Sequence, residues 1–134
     1  MVSMAMIAAE RAAQFPGNPY AWVLTRDRAC ELGGMFESEV GTSGPRQATA
    51  EMVERARTEG RQFRMLDEGD TDQGAIEEGK DVDPAERGVV YEGLIWTEAE
   101  PGGDADFGPL DDFGQPNWGC VEIQYREGDR WVSL

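Results

Sequence analysis

The sequence predicts an α+β domain: a mostly antiparallel sheet of about five strands with two helices packed on one face. Three observations carry this reading. Two stretches before residue 60 have helical apolar spacing, whereas the apolar residues after it fall into four short strand-like runs. Glu127-Gly128-Asp129 joins the last two runs as a tight turn. A chain of 134 residues, 40% hydrophobic, with four Trp, three Tyr and five Phe, suits one core. Residues 1–134 therefore read as a single domain with an acidic loop insertion at about 67–88.

The elements follow in order. Met4–Gln14 is rich in Ala and Met, and Met4, Ile7, Ala8 and Arg11 share a helical face until Pro16-Gly17-Asn18-Pro19 ends it. Tyr20–Thr25 is aromatic and β-branched, and its apolar run Ala21–Leu24 predicts a buried strand. Arg26–Phe36 fits a short helical turn or an irregular loop, and Gly41–Pro45 fits a turn. A second helix spans Thr49–Glu59, with Thr49 as N-cap, Glu51 in its first turn, Arg55 and Arg57 late, and Gly60 just past its end. Arg61–Leu66 alternates as a strand. Glu68–Gly88 has four Gly, one Pro and many acids, which predicts an exposed or partly mobile loop.

Val89–Thr97 is the strongest strand signal, with Gly93 as a candidate bulge. Glu98–Asp106 is a second acidic loop. Phe107–Gly119 reads as a packed loop with its aromatics turned inward. Val121–Arg126 alternates, and Arg130–Leu134 is a last short strand. The four C-terminal strands are expected to form a meander.

Composition removes several function classes. There is no His, so serine–histidine and cysteine–histidine nucleophilic sites cannot form within the chain, and the commonest metal ligand is missing. Cys30 and Cys120 are the only cysteines. They read as two small buried residues, with a bridge or a reactive thiol as alternatives. No apolar run reaches the ~18–20 residues that span a bilayer, and no basic segment precedes the apolar part of Met1–Ala13; the expected location is cytoplasmic. Gly41-Thr-Ser-Gly44 lacks the lysine of a phosphate loop, Asp111 and Asp112 diverge as neighbours on a loop, and Lys80 lies in a solvated segment. No enzyme activity and no cofactor are expected.

The charge is the most informative feature. The formal net charge is −15, and Asp67 to Asp112 holds sixteen acids against only Lys80 and Arg87, a net of −14. The first 60 residues carry eight acids and six Arg. Salt adaptation spreads acids around a surface, whereas this concentration makes a directed field that repels nucleic acid and anionic membrane and attracts basic surfaces. Several acids sit two apart, which in extended chain places carboxylates roughly 6.6 Å apart on one side, from a rise of ~3.3 Å. Such a row approaches the line charge of a nucleic acid, and the arginines of a nucleic-acid groove would accept it.

The candidate partner-binding residues are Asp70, Asp72, Glu77, Glu78, Asp81, Asp83, Glu98, Glu100, Asp104 and Asp106, expected on one contiguous patch. Trp96, Phe107, Phe113 and Trp118 border these stretches as a possible aromatic rim, although such residues are more often core. Arg55, Arg57, Arg61 and Arg64 form a small basic cluster, read as charge pairing with the acidic loops. Calcium ligation by Asp67, Asp70 and Asp72, or by Asp104, Asp106 and Asp111, is a weak alternative, since neither set has the calcium-loop spacing.

The block Phe107-Gly-Pro-Leu-Asp-Asp-Phe-Gly-Gln-Pro-Asn-Trp-Gly-Cys-Val-Glu-Ile-Gln-Tyr-Arg126 resembles small uncharacterised acidic proteins of phages, plasmids and their hosts, as do the Tyr20–Thr25 strand and Gly44-Pro45. That resemblance carries no known activity and transfers no functional residue. In size and charge the chain is also similar to the anti-restriction and anti-CRISPR inhibitors that imitate DNA, a likeness of composition only. The expectation is an acidic, non-enzymatic inhibitor that binds a basic nucleic-acid-binding surface of a partner protein. The alternatives are an interaction or scaffold domain using Trp118 and Phe113, or a calcium-stabilised module.

Overall fold

The computed structural model describes residues 19–33, 37–98 and 101–134. The expected helix over Met4–Gln14 lies outside them. The described chain is α+β, built on a six-stranded sheet in the order β2-β1-β4-β3-β5-β6, antiparallel at every pairing. Its strands are β1 (Tyr20–Asp27), β2 (Ser43–Gly44), β3 (Arg61–Leu66), β4 (Val89–Thr97), β5 (Glu122–Glu127) and β6 (Arg130–Ser133). The helices are α1 (Arg28–Gly33), α2 (Ala50–Glu59), α3 (Asp70–Glu77) and α4 (Gln115–Trp118). A 3-10 turn (Asp104–Phe107) and a π turn (Leu110–Gly114) lead into α4.

Strand alternation sorts the side chains. Trp22, Leu24, Phe63, Met65, Tyr91, Ile95, Ile123 and Tyr125 share one face and form the main core. The segment Asp104 to Trp118 covers it, and the Phe113 ring lies 5.6 Å from Trp22 and 5.2 Å from Tyr91. On the other face α2 covers β1 and β4. Ala56 is fully buried there, and the Arg55 guanidinium lies 5.4 Å from the centre of the Trp96 ring. Ala21–Leu24 is therefore buried on both sides, which explains its unbroken apolar run. The described helical segments lie on both faces of the sheet, α2 on one and the segment from Asp104 to Trp118 on the other. Thr49 caps α2 as expected, accepting from the Met52 amide at 3.2 Å, and Gly128 makes the β5–β6 turn at φ +64°.

Three expectations are corrected. The C-terminal strands are not a sequential meander: β3 lies between β4 and β5, because β5 pairs with β3. The bulge expected at Gly93 lies on the strand opposite it: Leu24 pairs with Gly93 and Arg26 with Glu92, which leaves Thr25 of β1 as the extra residue, and a second register shift lies at Met65/Leu66. Gly93 instead leaves room for the Phe63 ring, whose Cζ would sit 2.6 Å from an added Cβ. The stretch 68–88 is not an open loop. It contains α3 and a 3-10 turn (Pro84–Glu86), and its Asp72 is fully buried.

Candidate protein-interaction site at the acidic pole

The order of α3 comes from local capping and one buried ion pair. Asp67 accepts hydrogen bonds from the Gly69 amide (2.7 Å), the Thr71 amide (3.2 Å) and the Thr71 hydroxyl (2.6 Å), so the first turn of α3 is satisfied by a side chain upstream of it. Asp72 points inward. Arg28 of α1 donates to both its oxygens (Nη1–Oδ1 2.8 Å, Nη2–Oδ2 2.9 Å) and to the Val89 carbonyl, and the Gly88 amide donates to Oδ1 at 3.0 Å. The Arg28 hydrogen bonds hold the Asp72 carboxyl below its ordinary range against the opposing effect of burial. The other end of the segment is held by Glu86, which binds Arg26 and is likewise lowered by it.

This frame decides where the ten candidate carboxylates stand. Asp70, Glu77, Glu78, Asp81 and Asp83 are exposed in the β3–β4 connection, beside the start of β4. Glu98 and Asp104 are exposed beyond its other end. The nine residues of β4, eight rises of ~3.3 Å, separate the two groups by about 26 Å. The Debye length is ~8 Å at physiological salt, so the two ends act as independent fields. Glu100 lies outside the described residues. Asp106 is 3% exposed and accepts from Arg61 Nη2 (2.6 Å) and the Gly102 amide (2.9 Å). Asp72 and Asp106 are therefore structural, and the single contiguous row does not form. An acid two residues from an exposed one points outward only in extended chain; α3 and the 3-10 turn rotate Asp72 and Asp106 into the interior.

The stronger end is the pole beside the start of β4. Exposed Glu68 belongs to the connection too, and antiparallel pairing brings the end of β1 and the start of β5 to the same pole, adding exposed Glu31 and Glu37 from the chain that follows β1. Lys80 and Arg87 are the basic residues of the connection; Lys80 bonds the Leu32 carbonyl and pairs with Glu78. An open groove of about 430 Å³ on this pole is lined by Asp67, Glu68, Asp70, Thr71, Trp118 and Val121. Trp118 is half-buried, its indole donates to the Thr71 hydroxyl at 2.8 Å, and Val121 is 60% exposed beside it.

The other aromatics fall elsewhere. Phe113 is core, Trp96 lies under Arg55, and Phe107, 41% exposed, belongs to the far end. Phe113 therefore cannot serve as a surface anchor. The basic cluster is also divided. Arg61 pairs with the acidic-loop residue Asp106, Arg55 and Arg57 pair within α2, and Arg64 forms no ion pair among the described residues.

Neither calcium set is assembled. Asp67 is occupied by capping, Asp72 by Arg28 and Asp106 by Arg61, and among the described residues no group of three His, Cys, Asp or Glu is placed to hold a metal. Asp112 accepts from the Tyr20 hydroxyl (2.8 Å) and the Trp22 indole (3.0 Å), tying the core-covering segment to β1. Compared with protein-family models, curated proteins and solved structures, the chain matches none. Sequence reasoning missed Arg28, which organises the pole. Its only trace is a charged residue directly after a buried strand, a pattern shared with ordinary strand ends.

Proposed function

We propose that this is a non-enzymatic acidic protein that binds a basic, nucleic-acid-binding surface of a partner protein through the α3 pole, and so inhibits it. The observation that carries this reading is the anchoring of an exposed acidic segment by Asp72 and Asp67. Asp70, Glu77, Glu78, Asp81 and Asp83 project from a segment fixed by a fully buried ion pair. Solvated loops kept only for solubility need no such anchor, and a preordered anionic segment pays less entropy on binding. Arginines of a groove built for phosphate would pair with these carboxylates. A defence effector that grips DNA or RNA has such a groove, and occupation by this pole would exclude the nucleic acid. Trp118 and Val121 supply an apolar contact beside the charge.

The test is capture of partners from lysate by immobilised protein at low and high salt. Replacing Asp70, Glu77, Glu78, Asp81 and Asp83 together by Asn or Gln should abolish retention while leaving the melting temperature near that of the parent. Neutralising Glu98 and Asp104 should leave retention intact. Retention that survives the five-fold change, or ignores salt, overturns the reading.

A further inference from the structure

The part of the sheet not covered by α2 carries a feature that the acidic pole does not use. Side chains of Gln62, Arg64, Glu92, Gln124, Arg126 and Trp131 share this face across β3, β4, β5 and β6. All of these but Gln124 line an open groove of about 580 Å³, together with Arg26, Ala85 and Glu86. Arg64 lies 4.5 Å, and Arg126 5.5 Å, from the centre of the Trp131 ring. Arg64 donates Nε to Gln124 Oε1 at 2.7 Å, and Arg126 donates Nε to the Gly128 carbonyl at 2.9 Å. Among the described residues neither arginine has a carboxylate within ion-pair distance.

For Arg64 that is unusual: Arg126 is exposed, but Arg64 is half-buried, and the other arginines in the described residues that are at least half-buried, Arg26, Arg28 and Arg61, each hold a carboxylate. In a protein with 27 acids and 12 bases, Arg64 is thus a half-buried guanidinium with no carboxylate partner among the described residues. The nearby carboxylates are engaged elsewhere: Glu86 and Glu92 bind Arg26, and Glu122 accepts from Gln124 and Ser133. Burial lowers the pKa of Arg64 despite the pull of Glu92, Glu122 and Glu86. Desolvated charges ordinarily have partners, because an uncompensated one is costly.

We propose that Arg64 and Arg126, arranged around Trp131, bind the carboxylate of an acidic residue on an extended partner peptide laid along β6. Charge complementarity selects the carboxylate, since two forked cations with free terminal nitrogens face one groove. The net charge of −15 disfavours a polyanion, so nucleic acid is not the occupant. The edge selects the peptide. Among the described residues β6 pairs only with β5, and a strand added there places every second side chain on the Trp131 face. Backbone pairing then supplies affinity that the repulsive long-range field does not.

The test is titration of the full chain, followed by NMR, with a blocked hexapeptide of alternating glutamate and valine. The expected result is shifts at the Trp131 indole N–H and the Arg64 Nε–H. Binding should be about tenfold weaker for the glutamine analogue, and for Arg64→Gln or Arg126→Gln variants that retain a dispersed spectrum. The five-fold change at the acidic pole should not weaken it, which separates this site from the proposed function. Equal binding of the two peptides, unchanged binding by Arg126→Gln, or the same shifts produced by inorganic phosphate alone would overturn the proposal.

Discussion

Arg28 and Asp72 form a two-bonded ion pair at 2.8 and 2.9 Å, 3% and 0% exposed at their side chains, between α1 and α3. This contact turns an acid-rich connection into a fixed part of the domain. A buried pair of this kind stabilises little relative to an apolar pair of the same shape, but removing one partner strands the other. Asp72→Ala is expected to cost about 3–5 kcal/mol in denaturant unfolding, whereas Arg28→Met combined with Asp72→Leu should recover most of it.

The same pair sets an acid limit. The folded-state pKa of Asp72 lies below its ordinary value of 3.8, so its contribution is fully present above the unfolded-state pKa and disappears as pH falls through the folded one. The difference in stability between the parent and Asp72→Asn should be constant above about pH 5 and close below about pH 4. Thermal melts across that range check it; a gap that widens toward low pH would contradict the assignment.

Gly93 and Gly74 predict opposite responses to alanine. A Cβ at Gly93 would meet the Val23 carbonyl and the Phe63 ring, so Gly93→Ala should destabilise by roughly 1–3 kcal/mol. A Cβ at Gly74 meets nothing within 4 Å, and Gly74 lies inside α3, so Gly74→Ala should stabilise by about 0.5–1 kcal/mol. Chemical denaturation of the two variants decides both.

Phe113 and Trp118 separate stability from binding. Phe113→Ala empties core space between Trp22 and Tyr91 and should cost about 3–5 kcal/mol. Trp118→Phe keeps an aromatic ring but loses the indole N–H that bonds Thr71, and should change partner retention more than the melting temperature.

Cys120 is 1% exposed, and burial pushes its thiol up to about 12. It should react with an aromatic disulfide reagent only as the protein unfolds, while the half-buried Cys30 reacts first. Simultaneous labelling of both thiols in the native protein would refute this.

Much of the fold was legible because it rests on periodicity. The alternation of Arg61–Leu66, the apolar run at Ala21–Leu24, the cap at Thr49 and the turn at Gly128 all depend on near neighbours, and all form. Strand order was not legible, because the choice of β3 over β4 as the partner of β5 depends on closing contacts between distant segments. The acidic stretch was misread as open chain for the same reason. Composition registers how many carboxylates a segment has but not which of them meets an arginine 44 residues away in sequence.

By itself the sequence determined the class of fold, most of its strands, the absence of histidine chemistry and the sign of the field. Only the tertiary structure decided that this field divides between the two ends of β4, that Asp72 and Asp106 are spent inside, and that Arg64 has no ion-pair partner among the described residues. The physical reason is that net charge is a sum over residues. Its distribution depends on which side chains the backbone turns inward and on which distant residues meet them there.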